Sequence, residues 1–204
     1  ASIVEEFTIE PRVSVAYKIA KKSQLSLAYG SFYQTANPDY LKFSQNLKYE
    51  NTNHYILNYL YNDNGKMFRA EAYFKDYSNL VKFDSTISSY NSNFNNKGFG
   101  YAKGLDLFWR DNKTFKGLDY WITYSFIDSE RDYKNYEKQV TPSFIANHNF
   151  SIVTKYWVDK LKSQIGLTYS FNSGRPYDNP NETEFMNQKT KSYNNLSLGW
   201  SYLL

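Results

Sequence analysis

Leu118-Asp119-Tyr120-Trp121-Ile122-Thr123-Tyr124-Ser125-Phe126 sets Leu, Tyr, Ile, Tyr and Phe at every second position, against Asp, Trp, Thr and Ser between them. Period-two alternation sends the two sets to opposite faces of a strand. Just upstream, Leu105, Leu107 and Trp109 alternate with Gly104, Asp106 and Phe108 in the same way. Working outward along the chain gives about nine such runs, most of them about ten residues long, the length a tilted strand needs to cross a bilayer. The gaps alternate between roughly four to six residues and roughly fourteen to twenty, the short-turn, long-loop asymmetry of membrane barrels. The fold expected is all-β: an antiparallel transmembrane β-barrel portion of nine meandering strands. The alternative is a soluble all-β domain with aromatic sugar platforms, which leaves the sorting of loop lengths without a reason.

The mean hydropathy of -0.69 would suit a soluble protein. No stretch approaches the roughly eighteen apolar residues of a membrane helix. A barrel wall evades that test because half of its residues face a polar interior. Aromatic residues make up 20% of the chain, with 21 Tyr. Tyr and Trp suit the headgroup level, where a ring has one apolar and one wet side. There is no Cys, and His54 and His148 are the only histidines, so neither a disulfide nor a thiolate metal site is available and no metal or other cofactor is expected. The net charge of +4 is spread along the chain without a Lys/Arg run, which argues against nucleic acid as a partner. Ala1 to Glu6 lack the basic start and apolar stretch of a signal peptide.

The strands are expected over Phe7–Ile19, with Pro11 near the start, then Leu25–Tyr33, Tyr55–Tyr61, Phe68–Phe74, Leu105–Trp109, Leu118–Phe126, Phe150–Val158, Ile165–Phe171 and Leu196–Leu204. Asn62-Asp63-Asn64-Gly65 is a strong hairpin turn. Long polar loops are expected over Thr35–Lys48, Asp76–Gly98, Asp128–Ala146 and Ser173–Lys191, with no helix. Short turns face the periplasm in outer-membrane barrels and long loops face outward. Lys21, Lys22, Lys66, Lys113, Lys160 and Lys162 then fall at the periplasmic rim, where their stems can snorkel. Ala1 and Leu204 fall at opposite ends of the wall. An odd strand count leaves two open edges, so the 1–204 segment is expected to be one barrel segment completed by strands from the same or another chain.

Several stretches resemble TonB-dependent outer-membrane receptors, in particular the second half of their barrel. They are Pro11-Arg12-Val13-Ser14-Val15-Ala16-Tyr17, Ala28-Tyr29-Gly30-Ser31-Phe32-Tyr33-Gln34, His54-Tyr55 with Asn58-Tyr59, and Gly100-Tyr101-Ala102-Lys103-Gly104-Leu105-Asp106. Thr141-Pro142-Ser143-Phe144, His148-Asn149-Phe150, Ser173-Gly174-Arg175-Pro176-Tyr177, Ser192-Tyr193 and Leu196-Ser197 to Trp200 continue the likeness along nearly the whole chain. Plugged barrels of this kind have about 22 strands. The resemblance implies import of a scarce nutrient (metal chelate, oligosaccharide or peptide) across the outer membrane, driven by an inner-membrane TonB-type protein pulling a plug. No plug is expected within these residues. The rival is a passive barrel: a porin, scaffold or adhesin.

The candidate ligand-binding residues are Tyr33, Gln34, Tyr40, Arg131, Tyr133, Arg175 and Tyr177. Arg offers a planar fork and Tyr a stacking face to an anionic or sugar ligand; for Arg175-Pro176-Tyr177 the plainer reading is a rigid loop exit with an interfacial Tyr. Asp178, Asn181, Glu182 and Glu184 offer oxygen ligands but lack a calcium loop's spacing, so a solvated acidic loop is the expectation. Arg69, Glu71, Lys75, Asp106, Arg110 and Asp119 are expected on the lumen face, as cross-strand ion pairs or as contacts to a plug or water path. His148 with Ser151 and the acids Asp128, Glu130 and Asp132 could serve a rim hydrolase, but no nucleophile elbow supports it. The expectation is no enzyme and no catalytic residue. The Asn-x-Ser/Thr matches at Asn112, Asn149, Asn181 and Asn195 fall on turns, strands and loops alike and are read as chance.

Overall fold

The computed structural model describes residues 7–85, 88 and 91–203; Ala1–Glu6 and Leu204, on which the expectations for the chain ends rest, lie outside them. The strands are β1 (Arg12–Ala20), β2 (Ser23–Gln34), β3 (Glu50–Asp63), β4 (Lys66–Phe83), β5 (Phe94–Asp111), β6 (Leu118–Asp132), β7 (His148–Val158), β8 (Ser163–Asn172), a two-residue pair β9 (Pro176–Tyr177) and β10 (Gln188–Lys189), and β11 (Tyr193–Tyr202). Nine of them form one antiparallel meander in the order β1-β2-β3-β4-β5-β6-β7-β8-β11, so β1 and β11 are its edges. Among the described residues no helix is long and apolar enough to cross a membrane.

Residues opposite one another in the ladder share a face, so the register carries a face assignment from strand to strand. Leu27 opposes Leu57, Leu57 opposes Ala72, Ala72 opposes Leu105, and Leu105 opposes Phe126. Ile122 opposes Ile152 and Leu167 opposes Leu198 on the same face. The other face carries Asn58, Glu71, Asp106, Ser125, Asn149 and Asn172, each opposite the next. One face is therefore an apolar belt and the other a polar wall.

Within the belt, aliphatic residues hold the middle and rings hold the ends. At the loop end Tyr29 meets Tyr55 at 5.2 Å and Tyr55 meets Phe74 at 6.3 Å between ring centres. At the turn end Tyr59 meets Phe68 at 6.1 Å, and Phe68 meets Trp109 at 6.5 Å. Two aromatic girdles flanking an apolar band are what two membrane interfaces select. Leu27, Leu57 and Leu198 are exposed to their surroundings, as lipid-facing side chains must be.

The short turns are knit to one another. Asn64 and Gly65 close the β3–β4 hairpin with φ of 40° and 86°, the doubly left-handed geometry that favours Asn-Gly. Lys22 in the first turn pairs with Asp63 at 2.6 Å. Asp111, nearly fully buried, accepts from the backbone N–H groups of Lys113 (2.8 Å) and Thr114 (2.9 Å) and from the Thr114 hydroxyl (2.5 Å).

Two expectations are revised by the structure. The stretch read as a loop from Asp76 to Gly98 is largely strand: β4 and β5 stay paired up to Phe83 opposite Phe94. Register shifts between Tyr77 and Leu80 and between Leu80 and Lys82, with Asn79 at φ 58°, break the alternation there and hide the strand from a period-two reading. The chain also has a short helix, α1 (Pro38–Leu41), and a 3-10 turn over Asp159–Leu161. Asn37 caps α1 by accepting from the Asp39 N–H at 2.9 Å, and Pro38 occupies its first turn.

Leu107 lies mid-strand in the belt and Asp106 on the polar wall. In the membrane-assembled protein, Leu107→Arg is expected to cost about 2–4 kcal/mol and Asp106→Asn far less. Denaturant unfolding in bilayers checks this, and equal tolerance at the two positions would reverse the facing. Cysteines at Asn46, Asn93, Asn135 and Asn187 are expected to label from outside intact cells, and those at Asn64 and Asn112 only after the outer membrane is opened; the reverse pattern would invert the topology.

Candidate functional site

Four loops gather at the long-loop end. The β2–β3 loop folds down so that Ala36, Leu41 and Leu47 bury against Val81 of β4, with Tyr40 and Phe94 packed alongside. Lys134, just beyond β6, donates its N–H to Val81 O at 2.6 Å and accepts from Phe83 N–H at 3.0 Å. Glu50 Oε1 accepts from the Val81 N–H at 3.0 Å. The β8–β11 loop joins through Lys138–Glu184 at 3.1 Å and through the edge contact of Phe185 with Tyr136 (5.2 Å), which in turn packs edge-on against Tyr133 of its own loop (4.9 Å).

These contacts frame a hollow of about 380 Å³ lined by Gln34, Tyr40, Glu50, Leu80, Val81, Arg131, Tyr133 and Lys134, among others. Gln34 and Glu50 are register partners on the polar face, as are Tyr77, Gly100 and Arg131. Gly100 makes the Arg131 position possible: a Cβ there would come within 2.8 Å of Arg131 Cγ, so the Arg side chain lies across the glycine. Its guanidinium sits 4.1 Å from the Tyr77 ring centre, 5.4 Å from Phe144 and 5.7 Å from Tyr133. Its Nε is buried, with no acceptor among the described residues. Burial pushes the phenols of Tyr40 and Tyr133 above the usual tyrosine range, helped by Glu50 for Tyr40 and by Tyr136 for Tyr133. Both are neutral hydroxyls at physiological pH.

The family model for the TonB dependent receptor-like β-barrel matches residues 6–203. The chain belongs to this family. No curated protein sequence matches it. Among solved structures it is similar to the FrpB iron transporter from Neisseria meningitidis, at 13% identity and a TM-score of 0.75, covering 95% of this chain and 31% of that one. The pyoverdine outer membrane receptor FpvA from Pseudomonas aeruginosa, bound to pyoverdine, matches at 14% identity and a TM-score of 0.74, over 95% and 29% of the two chains. The outer membrane transporter YddB from Escherichia coli matches at 14% and 0.67, over 95% and 33%. At such identities the likeness is one of fold, and this chain spans about a third of the length of these receptors. Its place is the outer membrane, and its family is one of receptors, not enzymes.

The structure gathers Gln34, Tyr40, Arg131 and Tyr133 around one hollow. Tyr33 points to the opposite face from Gln34 and lines a separate hollow with Ile9, Lys48 and Asn79. Arg175 and Tyr177 are exposed on the β9–β10 hairpin, away from the barrel-mouth hollow. Of the lumen-facing ionic set, Arg110 forks onto Asp119, with Nε–Oδ1 at 3.0 Å and Nη2–Oδ2 at 2.7 Å. Glu71 accepts from the Asn58 amide at 3.0 Å and stands opposite Asp106, while Arg69 makes no ion pair among the described residues. His148 and Ser151 fall on opposite faces of β7, since Phe126 opposes the first and Thr123 the second, so the hydrolase arrangement does not assemble. Glu184 of the acidic loop is committed to Lys138, and Asp178 accepts from Met186 N–H at 3.5 Å.

Sequence reasoning missed Glu50, Lys134, Tyr77 and Phe144 as parts of this site. Tyr77 continues the even spacing of Tyr73 and Lys75 along β4, a signal that would have placed it.

The outermost part of the β4–β5 hairpin gives a pH-dependent contact. Asp84 Oδ1 accepts from the Asn93 N–H at 2.9 Å and Oδ2 from its side-chain amide at 2.5 Å, and the Asn93 backbone bond, then its amide, hold the carboxyl below its ordinary 3.8. A depressed carboxyl stabilises above its unfolded value and loses that contribution as pH falls through the lower folded one. Protection of the Asn93 amide from hydrogen exchange is expected to be full above pH ~4 and to fall as the pH drops below it. Asp84→Asn should flatten that dependence; an unchanged profile would show that the carboxylate does not hold the hairpin.

Proposed function

We propose that this chain is one stretch of the wall of an energised outer-membrane importer, which takes up a scarce solute too large for open diffusion: a metal chelate, an oligosaccharide or a peptide. The observation that carries the reading is the hollow at the mouth. Its loops pack on one another over the polar face and present Arg, Lys, Gln and Tyr side chains, as a receptor that captures a solute before passage requires. A passive pore has no need of such a surface.

The family likeness supports the remaining partners. β1 and β11 each leave one row of backbone donors and acceptors outside the ladder. In lipid each unpaired group costs several kcal/mol, so further strands, from the same or another chain, would complete the wall. A plug within the completed barrel and an inner-membrane protein of the TonB class would gate and energise it. Glu71, Asp106 and Arg69 on the polar wall are suited to contact such a plug.

The experiment is uptake by cells expressing the complete receptor on limiting nutrient, with labelled metal chelates, oligosaccharides and peptides. At least one solute class is expected to accumulate, and accumulation should stop when the proton-motive force is collapsed or the TonB-type partner is deleted. Equal passage of small neutral solutes with and without energy would instead make the protein a porin.

A further inference from the structure

Four cations at the loop end are held in ion pairs. Lys42 pairs with Asp39 at 2.6 Å, Lys103 with Asp128 at 3.2 Å, Lys138 with Glu184 at 3.1 Å, and Lys82 with Asp132. Arg131 and Lys134, three positions apart, have no carboxylate partner among the described residues, although acids are plentiful in the same loops. Both instead face aromatic rings: Arg131 lies over Tyr77 and Lys134 Nζ lies 5.0 Å from the Tyr133 ring centre. A ring quadrupole orients a cation without neutralising it. The two side chains are thus positioned with their charge unspent, and both line the same hollow.

We propose that this hollow binds an anionic group, a phosphate or carboxylate of a soluble ligand, between Arg131 and Lys134. The inference rests on the importer reading and names its ligand class. The guanidinium fork matches the paired oxygens of either anion, and Lys134 adds a point charge. Most of the remaining lining is neutral. Gln34 offers an amide, and Tyr40 and Tyr133 are neutral phenols that can donate to an anion. Among the described residues that line the hollow Glu50 is the one carboxylate; its Oε1 accepts from the Val81 N–H, and its charge offsets only one of the two cations. A lipid phosphate is disfavoured as the source, because Arg131 lies on the polar face and the sheet separates it from the apolar belt.

The test is calorimetric titration of the complete receptor in detergent with citrate, inorganic phosphate and maltotriose, at low and high salt, on preparations stripped of lipopolysaccharide. At least one of the two anions is expected to bind saturably, to weaken as salt rises, and to lose at least about tenfold in affinity in Arg131→Gln and in Lys134→Gln. Arg131→Lys should recover part of the loss, and Lys160→Gln, in a short turn at the other end of the sheet, should change nothing. Outer-membrane abundance and surface labelling of each variant verify that it has folded. Binding of neither anion, or unchanged affinity in both Gln variants, would overturn the proposal. Energised uptake that is equally fast in wild type and in both variants would overturn it while leaving the importer reading intact. Anion binding that depends on the pair, in a receptor without energised uptake of any solute, would sustain the site and remove the importer reading.

Discussion

In the hydrocarbon core of a membrane, every backbone N–H and C=O must find its partner within the protein. A meander satisfies this only if each strand is paired along its whole buried length with the next, and the ladder from β1 to β11 does so. The requirement sets the register, and the register sets everything sideways. Once Leu57 is opposite Leu27 and Ala72, a single slip would turn the whole apolar set of β3 inward. The turn end guards against slippage with bonds from one hairpin to the next: Asn62 N–H to Lys22 O at 2.9 Å, Asn112 N–H to Gly65 O at 3.1 Å, Trp157 N–H to Gly117 O at 2.8 Å and Leu203 N–H to Lys162 O at 2.9 Å.

With one face committed to lipid, the other is free for polar chemistry, and adjacent residues in sequence take unrelated roles. Gln34 contributes to the mouth hollow while Tyr33 faces away from it. Asp119 grips Arg110 on the polar wall while Tyr120, one residue on, accepts a long 3.4 Å hydrogen bond from the Trp109 indole on the belt. The fork of Arg110 on Asp119 is half exposed, so its worth is no more than about 1 kcal/mol. Such pairs add little to stability beside the ladder. Their effect is to fix where charge stands on the inner wall.

The alternation made most of this legible in advance. Leu105, Leu107, Ile122, Leu167 and Leu198 could be assigned to the belt, and Asp106, Asp119, Gln164 and Ser197 to the wall, because each sits in an unbroken period-two run. The Asn64-Gly65 turn was legible because few other residue pairs accept two left-handed conformations. The loop end was not legible, for a physical reason. Beyond Tyr77 the bulge at Asn79 breaks the period, and above the membrane no apolar face is needed to mark a strand. Glu50 and Lys134 join Arg131 through loop packing on Val81, a contact between distant segments that leaves no local pattern. The short helix escaped notice because Asn37-Pro38 also reads as a turn.

The same release from the membrane's rule explains why binding chemistry concentrates at the mouth. Within the belt a bulge would leave backbone groups unpaired in lipid; above it, Asn96 can bond across to Lys48 O and Asn79 O, and water can meet the rest. The loops can therefore depart from the ladder, build a small core from Ala36, Leu41, Leu47 and Val81, and lean on the strand ends. That core gives Arg131 its setting. Arg110, on the wall lower down, meets a carboxylate on the neighbouring strand and is neutralised by it. Arg131 meets Gly100 and Tyr77 across its two ladder steps and Phe144 from the loop, so the ladder presents it with surfaces in place of an anion. What distinguishes Arg110 from Arg131 in this wall is thus whether a carboxylate stands within reach: Asp119, one diagonal step away, for the first, and aromatic rings in its place for the second.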